Sequence, residues 1–227
     1  LGFTRDGSFY YGTRDGQVEA YTAAFDQETL TIGEPVPVTD RFVGSNRDPE
    51  LSPDGKSVAF LRRRANAEEF DLVVRSSTTG EERTVTTVAH TYAARTLQWF
   101  PDSRSLLVHG KVNSRTTFRQ VEIESGNARM LFEGPYEIWG TAALSPDGKA
   151  LFYSIGEGGT PGTTARLVKR HLETGQETEL YRVPCDCVGL FGLTVSPDGS
   201  RLAFAVNVAD ERALMIMPAD GGTPREI

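Results

Sequence analysis

Short apolar runs recur along the chain and alternate with polar segments rich in Pro, Asp, Gly and Thr. Four of these runs are Val58-Ala59-Phe60, Leu106-Leu107-Val108, Leu151-Phe152-Tyr153 and Leu202-Ala203-Phe204. Apolar runs this short, bounded by turn residues, are typical of strands that are buried on both faces. No segment keeps a helical period between recognisable caps, because turn residues interrupt the pattern about every ten residues. The pattern therefore predicts an all-β protein.

One four-residue motif precedes each run. It reads Ser-Pro-Asp-Gly at 52–55, 145–148 and 196–199, Phe-Pro-Asp-Ser at 100–103, and Thr-Arg-Asp-Gly at 4–7. The copies begin 45 to 51 residues apart, which identifies a repeat protein. Proline sets φ for the first turn position, Asp suits the next, and Gly takes the left-handed conformation that closes a hairpin. Each copy therefore predicts a turn between two antiparallel strands.

A second turn follows later in each unit. It lies at Thr79-Gly80, Ser125-Gly126, Thr174-Gly175 and Asp220-Gly221, whereas residues 27–30 of the first unit contain no glycine. Strand-like segments flank these turns, so each unit is predicted to hold four strands, A to D. One such sheet cannot cover its own two apolar faces, but radial stacking covers them. We predict a single β-propeller domain with five visible blades, at approximately 1–39, 40–88, 89–134, 135–183 and 184–227.

Residues 51–60 carry a Ser-Pro-Asp-Gly-Lys core followed by Val-Ala-Phe, and a Thr-Gly turn comes later in the unit. This string resembles the TolB-like or WD-like β-propeller repeat, and the resemblance covers the whole chain in five units. It implies a propeller of six or seven blades, so we expect this chain to be part of a longer propeller. Closure of five blades on themselves is the alternative. The resemblance also favours a bacterial, periplasmic location.

Composition and charge narrow the possible partners. The chain has 227 residues, of which 38% are hydrophobic, so it can bury a core without metals or disulfides. The formal net charge of −7 argues against binding a phosphate backbone, and the one basic cluster, Arg62-Arg63-Arg64, is short. No apolar run approaches the roughly 20 residues that a membrane-spanning helix needs. We predict neither nucleic-acid binding nor a membrane span.

A search for catalytic patterns finds no Gly-x-Ser-x-Gly, no His-Glu-x-x-His and no phosphate-binding loop. The three histidines, His90, His109 and His171, fall at different positions of the repeat. Cys185 and Cys187 are two residues apart, too far to bridge easily in an extended segment, and are interpreted as reduced thiols. The motif aspartates recur in every unit, which indicates a turn function. We predict no catalytic residue, no metal site, no cofactor and no enzymatic activity.

The connections from strand D to strand A and from B to C lie on one rim of a propeller, where ligands usually dock. Arg47, Arg95, Gly140 and Phe191 share one position, five residues before each motif, and this position varies between units. Arginine and aromatic residues are enriched in interface hot spots. The predicted recognition rim consists of Arg47, Tyr92, Arg95, Tyr136, Trp139 and Phe191. Alternatively, Trp139 and Phe191 pack between blades, and the two arginines pair with neighbouring acids.

These observations predict a non-catalytic recognition module, part of a larger protein, that binds a protein partner or a small ligand at its rim. TolB-like proteins, which the repeat resembles, dock protein partners, and similar repeats occur as sensory halves of larger bacterial proteins. Two alternatives stay open. The first is the substrate-gating propeller of a prolyl-oligopeptidase-like hydrolase, whose catalytic domain lies outside this chain. The second is a metal-dependent propeller lyase or lactonase.

Overall fold

The structure is a computed structural model. It describes residues 2–3, 8–15, 17–40, 46–64, 69–89, 97–112, 115–134, 142–156, 165–183, 190–208 and 211–227. All regular secondary structure in these residues is β-strand, arranged in five antiparallel sheets. None of the described segments is a helix long and apolar enough to cross a membrane. The predicted all-β propeller of five blades is confirmed.

Each sheet forms one blade, with its strands side by side in sequence order. Blade 1 consists of β1 (Gly2–Phe3), β2 (Ser8–Asp15), β3 (Gln17–Asp26), β4 (Thr31–Ile32) and β5 (Val36–Pro37). Blade 2 consists of β6 (Asn46–Leu51), β7 (Ser57–Arg63), β8 (Glu69–Ser76) and β9 (Glu82–Ala89). Blade 3 consists of β10 (Leu97–Trp99), β11 (Ser105–Val112), β12 (Arg115–Glu122) and β13 (Ala128–Glu133).

The last two blades repeat the same order. Blade 4 consists of β14 (Ala142–Leu144), β15 (Ala150–Gly156), β16 (Ala165–His171) and β17 (Glu177–Val183). Blade 5 consists of β18 (Leu190–Val195), β19 (Arg201–Val208), β20 (Glu211–Pro218) and β21 (Arg225–Glu226). Blade 1 differs because β4 and β5 both pair with β3, so its outer strand is interrupted around Gly33.

In blades 2 to 5 the repeated motif forms the predicted turn between the first two strands, and the copy at residues 4–7 lies outside the described residues. In blade 2 the Gly55 N–H donates to the Ser52 carbonyl at 2.8 Å, and Gly55 has a φ of +73°. The Ser52 hydroxyl donates to Asp54 at 2.6 Å, and the same carboxylate oxygen accepts the Lys56 N–H at 3.1 Å. These bonds, the serine hydroxyl first, hold the pKa of Asp54 below its ordinary value. The motif aspartate is therefore part of the turn.

The apolar core lies between neighbouring blades. Four buried clusters join blade 1 to blade 2, blade 2 to blade 3, blade 3 to blade 4, and blade 4 to blade 5. Polar bonds add to this contact, since the Trp99 indole N–H of blade 3 donates to the Glu50 carbonyl of blade 2 at 3.0 Å. The Gln98 side chain bonds both the Leu144 N–H and the Ala142 carbonyl of blade 4. Radial stacking therefore buries the faces that a single sheet would leave exposed.

Candidate functional site

Most of the predicted recognition rim lies outside the described residues. This holds for Tyr92, Arg95, Tyr136 and Trp139, and also for His90, Cys185 and Cys187. Phe191 belongs to β18, where its backbone pairs with Ala205, and its side chain is outside the description. Arg47 is the one predicted rim residue whose side chain the structure describes. The rim as a whole therefore stays a prediction, and Arg47 is the rim residue whose contacts can be described.

Arg47 is the second residue of β6, the first strand of blade 2, and its backbone pairs with Leu61. Its guanidinium carbon lies 4.5 Å from the centre of the Phe70 ring, a cation–π contact. Phe70 is buried and is the second residue of β8, directly after the connection formed by residues 65–68. Arg47 therefore sits, half-buried, at the end of blade 2 that carries both the D–A and the B–C connections.

The charge of Arg47 has no acidic partner in the described part of the chain. The ion pairs found there include none between Arg47 and Asp48, its neighbour in β6, nor with any other described carboxylate. The alternative interpretation, in which nearby acids neutralise Arg47, finds no support among the described contacts. Arg47 therefore presents a positive charge 4.5 Å from the centre of an aromatic ring at the predicted rim.

The backbone beside Arg47 carries an irregularity that recurs in blade 5. Pairing between β6 and β7 shifts by one residue between Arg47 and Glu50, and Asp48 there has a φ of +52°. In blade 5 the same shift follows Phe191, and Gly192 has a φ of +61°. Both positions lie four residues before the motif serine. Such bulges re-aim side chains and are common beside functional sites, and a non-glycine residue at positive φ stores strain.

Polar groups between blades 1 and 2 fix the start of β6. The fully buried Asn46 amide donates to Glu19 of blade 1 at 2.9 Å, and its carbonyl oxygen accepts the Arg62 Nε–H at 2.9 Å. Arg62 also pairs with Glu82 at 2.9 Å, and both side chains are largely buried. In the sequence, Arg62 belongs to a short basic cluster, and its burial was not predicted. Successive side chains of a strand point to opposite faces of the sheet, so Arg62 faces blade 1 whereas Arg63 is exposed. This alternation is the sequence signal that could have indicated the burial of Arg62.

Other titratable groups serve the framework. The His109 ring stacks on Phe118 with centroids 4.3 Å apart, and His171 Nδ1 accepts the Thr174 N–H at 3.3 Å. Burial, and then a 2.6 Å hydrogen bond to Glu177, raise the pKa of the Tyr153 phenol above its usual range. Among the described residues, no three His, Cys, Asp or Glu side chains come close enough to hold a metal ion.

A groove of about 290 Å³ lies between blades 4 and 5, at the turn end rather than the rim end. Lys169, His171, Gln176, Thr178, Leu180 and Asp220 line it. In blade 2 the position that matches Thr178 is Arg83, whose guanidinium donates to the carbonyls of Ile123 and Glu124 in blade 3. The shorter threonine leaves this space open in blade 4, and Lys169 pairs with Asp220 across it at 2.7 Å.

Comparison with solved structures identifies the architecture. TolB from Acinetobacter baumannii superposes with a TM-score of 0.74 at 18% identity, over 97% of this chain and 52% of that one. A TolB structure from Agrobacterium tumefaciens gives 0.73 at 19% identity, over 99% and 78%. The fold is that of a TolB-like β-propeller. An acylaminoacyl peptidase from Pyrococcus horikoshii shares it, with a TM-score of 0.57 at 17% identity, over 97% of this chain and 37% of that one.

Two curated proteins, both with peptidase in their names, are similar to part of this sequence. The chain matches no known family model. It is 25% identical over 134 residues to dipeptidyl-peptidase 5 of Porphyromonas gingivalis, covering 56% of this chain and 19% of that protein. It is 29% identical over 163 residues to the peptidase YuxL of Bacillus subtilis, covering 72% of this chain and 22% of that protein. The chain thus spans about a fifth of the length of these curated relatives.

Proposed function

We propose that this propeller is a non-catalytic recognition module of a larger protein, and that it binds peptide or protein segments at the rim end of its blades. The observation that supports this most is the contrast between the two ends of blade 2. At the turn end the polar side chains Ser52 and Asp54 bond each other and the turn backbone. At the rim end Arg47 offers a charge with no acidic partner among the described residues.

A second candidate function is a more specific form of the first. In it the propeller belongs to a peptidase and selects the segments that reach a separate catalytic domain. Both curated sequence relatives are peptidases, and the chain matches about a fifth of each, which supports this candidate. The likeness to the acylaminoacyl peptidase structure is compatible with it. In this version, too, the propeller itself performs no chemistry.

Site-resolved crosslinking of the full-length natural protein tests the recognition function. The protein is incubated with a pool of random peptides that carry a benzophenone, irradiated and digested, and the crosslinked residues are mapped by mass spectrometry. We expect crosslinks in the D–A connections at 41–45, 90–96, 135–141 and 184–189 and in the B–C connections at 65–68, 113–114, 157–164 and 209–210. Crosslinks confined to the motif turns at 52–55, 100–103, 145–148 and 196–199 would contradict the proposal.

A fluorophosphonate probe, which labels activated serines, separates the two candidates in the same full-length protein. A labelled serine outside residues 1–227 supports the peptidase version, and no labelled serine supports the plain recognition module. A labelled serine inside residues 1–227 overturns both, because the propeller would then carry a nucleophile of its own.

A further inference from the structure

Arg47 differs from the other arginines between blades in what surrounds its charge. Arg62 pairs with Glu82, and Arg170 pairs with Glu177 while it lies over Phe132. Arg47 has the same kind of aromatic contact, over Phe70, without an acidic partner in the described part of the chain. A cation–π contact uses none of the N–H donors of the guanidinium, and no hydrogen bond to them is found in the described part of the chain, so they can bind a planar anion.

The backbone around Arg47 is held in place before any ligand arrives. On one side, Asn46 is fully buried and bonds both Glu19 and Arg62. On the other, Asp48 sits at a φ of +52° inside the bulge of β6, a conformation that persists only where the surroundings enforce it. A fixed backbone and a ring-stacked side chain lower the ordering cost of binding. The arginine is preorganised.

We propose that Arg47 is the anion-recognition residue of the rim and that it binds a carboxylate on an extended peptide segment. The inference rests on the proposed function and gives it a ligand class. Arginine matches a carboxylate with two parallel hydrogen bonds, a pairing that lysine cannot reproduce. The half-buried position beside Phe70 strengthens this attraction relative to an arginine in open solvent.

The test measures peptide affinity in the full-length natural protein. Three dansylated hexapeptide pools are compared by fluorescence titration: neutral side chains with a free C-terminal carboxylate, the same side chains with a C-terminal amide, and an amide pool with one internal Asp. We expect the carboxylate pools to bind more tightly than the neutral amide pool. Preference for the first pool identifies the chain terminus as the source of the carboxylate, and preference for the third identifies an acidic side chain.

The Arg47→Gln variant should lose about tenfold or more in affinity for the carboxylate pools and little for the neutral amide pool. Lys56→Gln removes one positive charge from the turn end of blade 2, where the side chain is 79% exposed, and should leave all affinities unchanged. Arg47→Lys should recover only part of the loss, because it keeps the charge without the planar fork. Thermal melting of each variant shows whether the blade is intact. If Arg47→Gln does not fold, the affinities of Arg47→Lys are compared with those of the wild-type protein instead.

Three outcomes overturn the inference in different ways. Equal affinity of the wild-type protein for all three pools removes the carboxylate preference but leaves peptide recognition standing. Absence of binding to any pool, together with the absence of rim crosslinks, removes the proposed function as well. A loss in Lys56→Gln equal to that in Arg47→Gln would show a general charge effect and would also contradict the assignment.

Discussion

The interface between blades 1 and 2 and the interface between blades 3 and 4 occupy the same place in the repeat, but their chemistry differs. The first contains the Arg62–Glu82 ion pair and the Asn46–Glu19 hydrogen bond. The second contains a run of rings in which Phe118 stacks on Phe132 at 4.7 Å, and Phe132 contacts Tyr153 at 5.3 Å.

The difference shows that the repeat determines the course of the backbone. The side chains at an interface between blades, in contrast, can be either aromatic or charged. Aromatic burial contributes stability in proportion to area and tolerates small shifts. A buried ion pair contributes little net stability because both charges lose water, but it favours one arrangement, since breaking the pair is costly. We therefore expect blades 3 and 4 to supply stability, and the polar interface to fix the position of β6, which carries Arg47.

The largest expected effect is at the aromatic interface. Phe118→Ala removes a fully buried ring that contacts three others, and it should lower the free energy of unfolding by about 4 kcal/mol. Urea denaturation followed by far-UV circular dichroism measures it. Met130→Ala is the control, because Met130 is 47% exposed on the same blade and should cost less than about 1 kcal/mol. Equal costs for the two variants would contradict an aromatic core at this interface.

The next effect is at the polar interface. Arg62→Met leaves the buried Glu82 carboxylate without its main partner and should cost about 3 kcal/mol. The double variant Arg62→Met with Glu82→Leu should recover most of that loss, since no buried charge is then stranded. Arg64→Met breaks the exposed pair with Glu69 and should change stability by less than about 0.5 kcal/mol. A double variant no more stable than the single would refute the ion-pair account. Urea titration measures all three.

A glycine pair tests how closely the blades approach. Gly126 and Gly55 both have a φ above +70°, so an alanine at either position should cost about 1 kcal/mol in backbone strain. A Cβ at Gly126 would also lie 2.5 Å from the Val85 carbonyl of blade 2, whereas a Cβ at Gly55 meets nothing within 4 Å. Gly126→Ala should therefore cost about 1 to 2 kcal/mol more than Gly55→Ala in the same urea titration. Equal costs would mean that the blades are further apart than described.

Blade 1 offers a stabilising substitution. Leu30 closes its outer turn at a φ of +55° where the later blades use glycine, and its side chain is 75% exposed. Leu30→Gly should raise the free energy of unfolding by about 1 kcal/mol, because it removes the left-handed strain. Leu30→Ala keeps the strain and should give no gain. Thermal melting of the two variants measures the difference in stability. A loss of stability in Leu30→Gly would contradict the interpretation that Leu30 strains this turn.

The smallest effect is on the pH dependence of stability. The Ser196 hydroxyl, followed by the Ser200 N–H and hydroxyl, lowers the pKa of Asp198 from 3.8 to about 2. A lowered folded-state pKa stabilises the fold at pH values above the unfolded pKa, and this contribution disappears as the pH falls toward about 2. Asp198→Asn should lower stability at neutral pH and reduce its fall between pH 4 and about 2. Urea titrations across that range measure the slope, and an unchanged slope would contradict the assignment.

The turns within each blade could be predicted from the sequence, whereas the contacts between side chains of distant strands and of neighbouring blades could not. The motif predicted its turns because proline, Asp and glycine act within four residues, and Gly55 and Gly148 take the expected positive φ. The partners of Arg62 are Asn46 of β6 and Glu82 of β9, which are 16 and 20 residues away, and no local pattern indicates them. The rim prediction used variation between repeats, which marks a position such as Arg47 without describing what surrounds it.

The most direct test of the account is a comparison of two variants for both stability and binding. We predict that Phe118→Leu lowers the melting temperature and leaves affinity for carboxylate peptides unchanged, because it acts between blades 3 and 4. Arg47→Gln should lower that affinity about tenfold and leave the melting temperature within about 2 °C. If Phe118→Leu alters affinity as much as Arg47→Gln does, or if Arg47→Gln binds like the wild-type protein, recognition does not lie at the rim of blade 2.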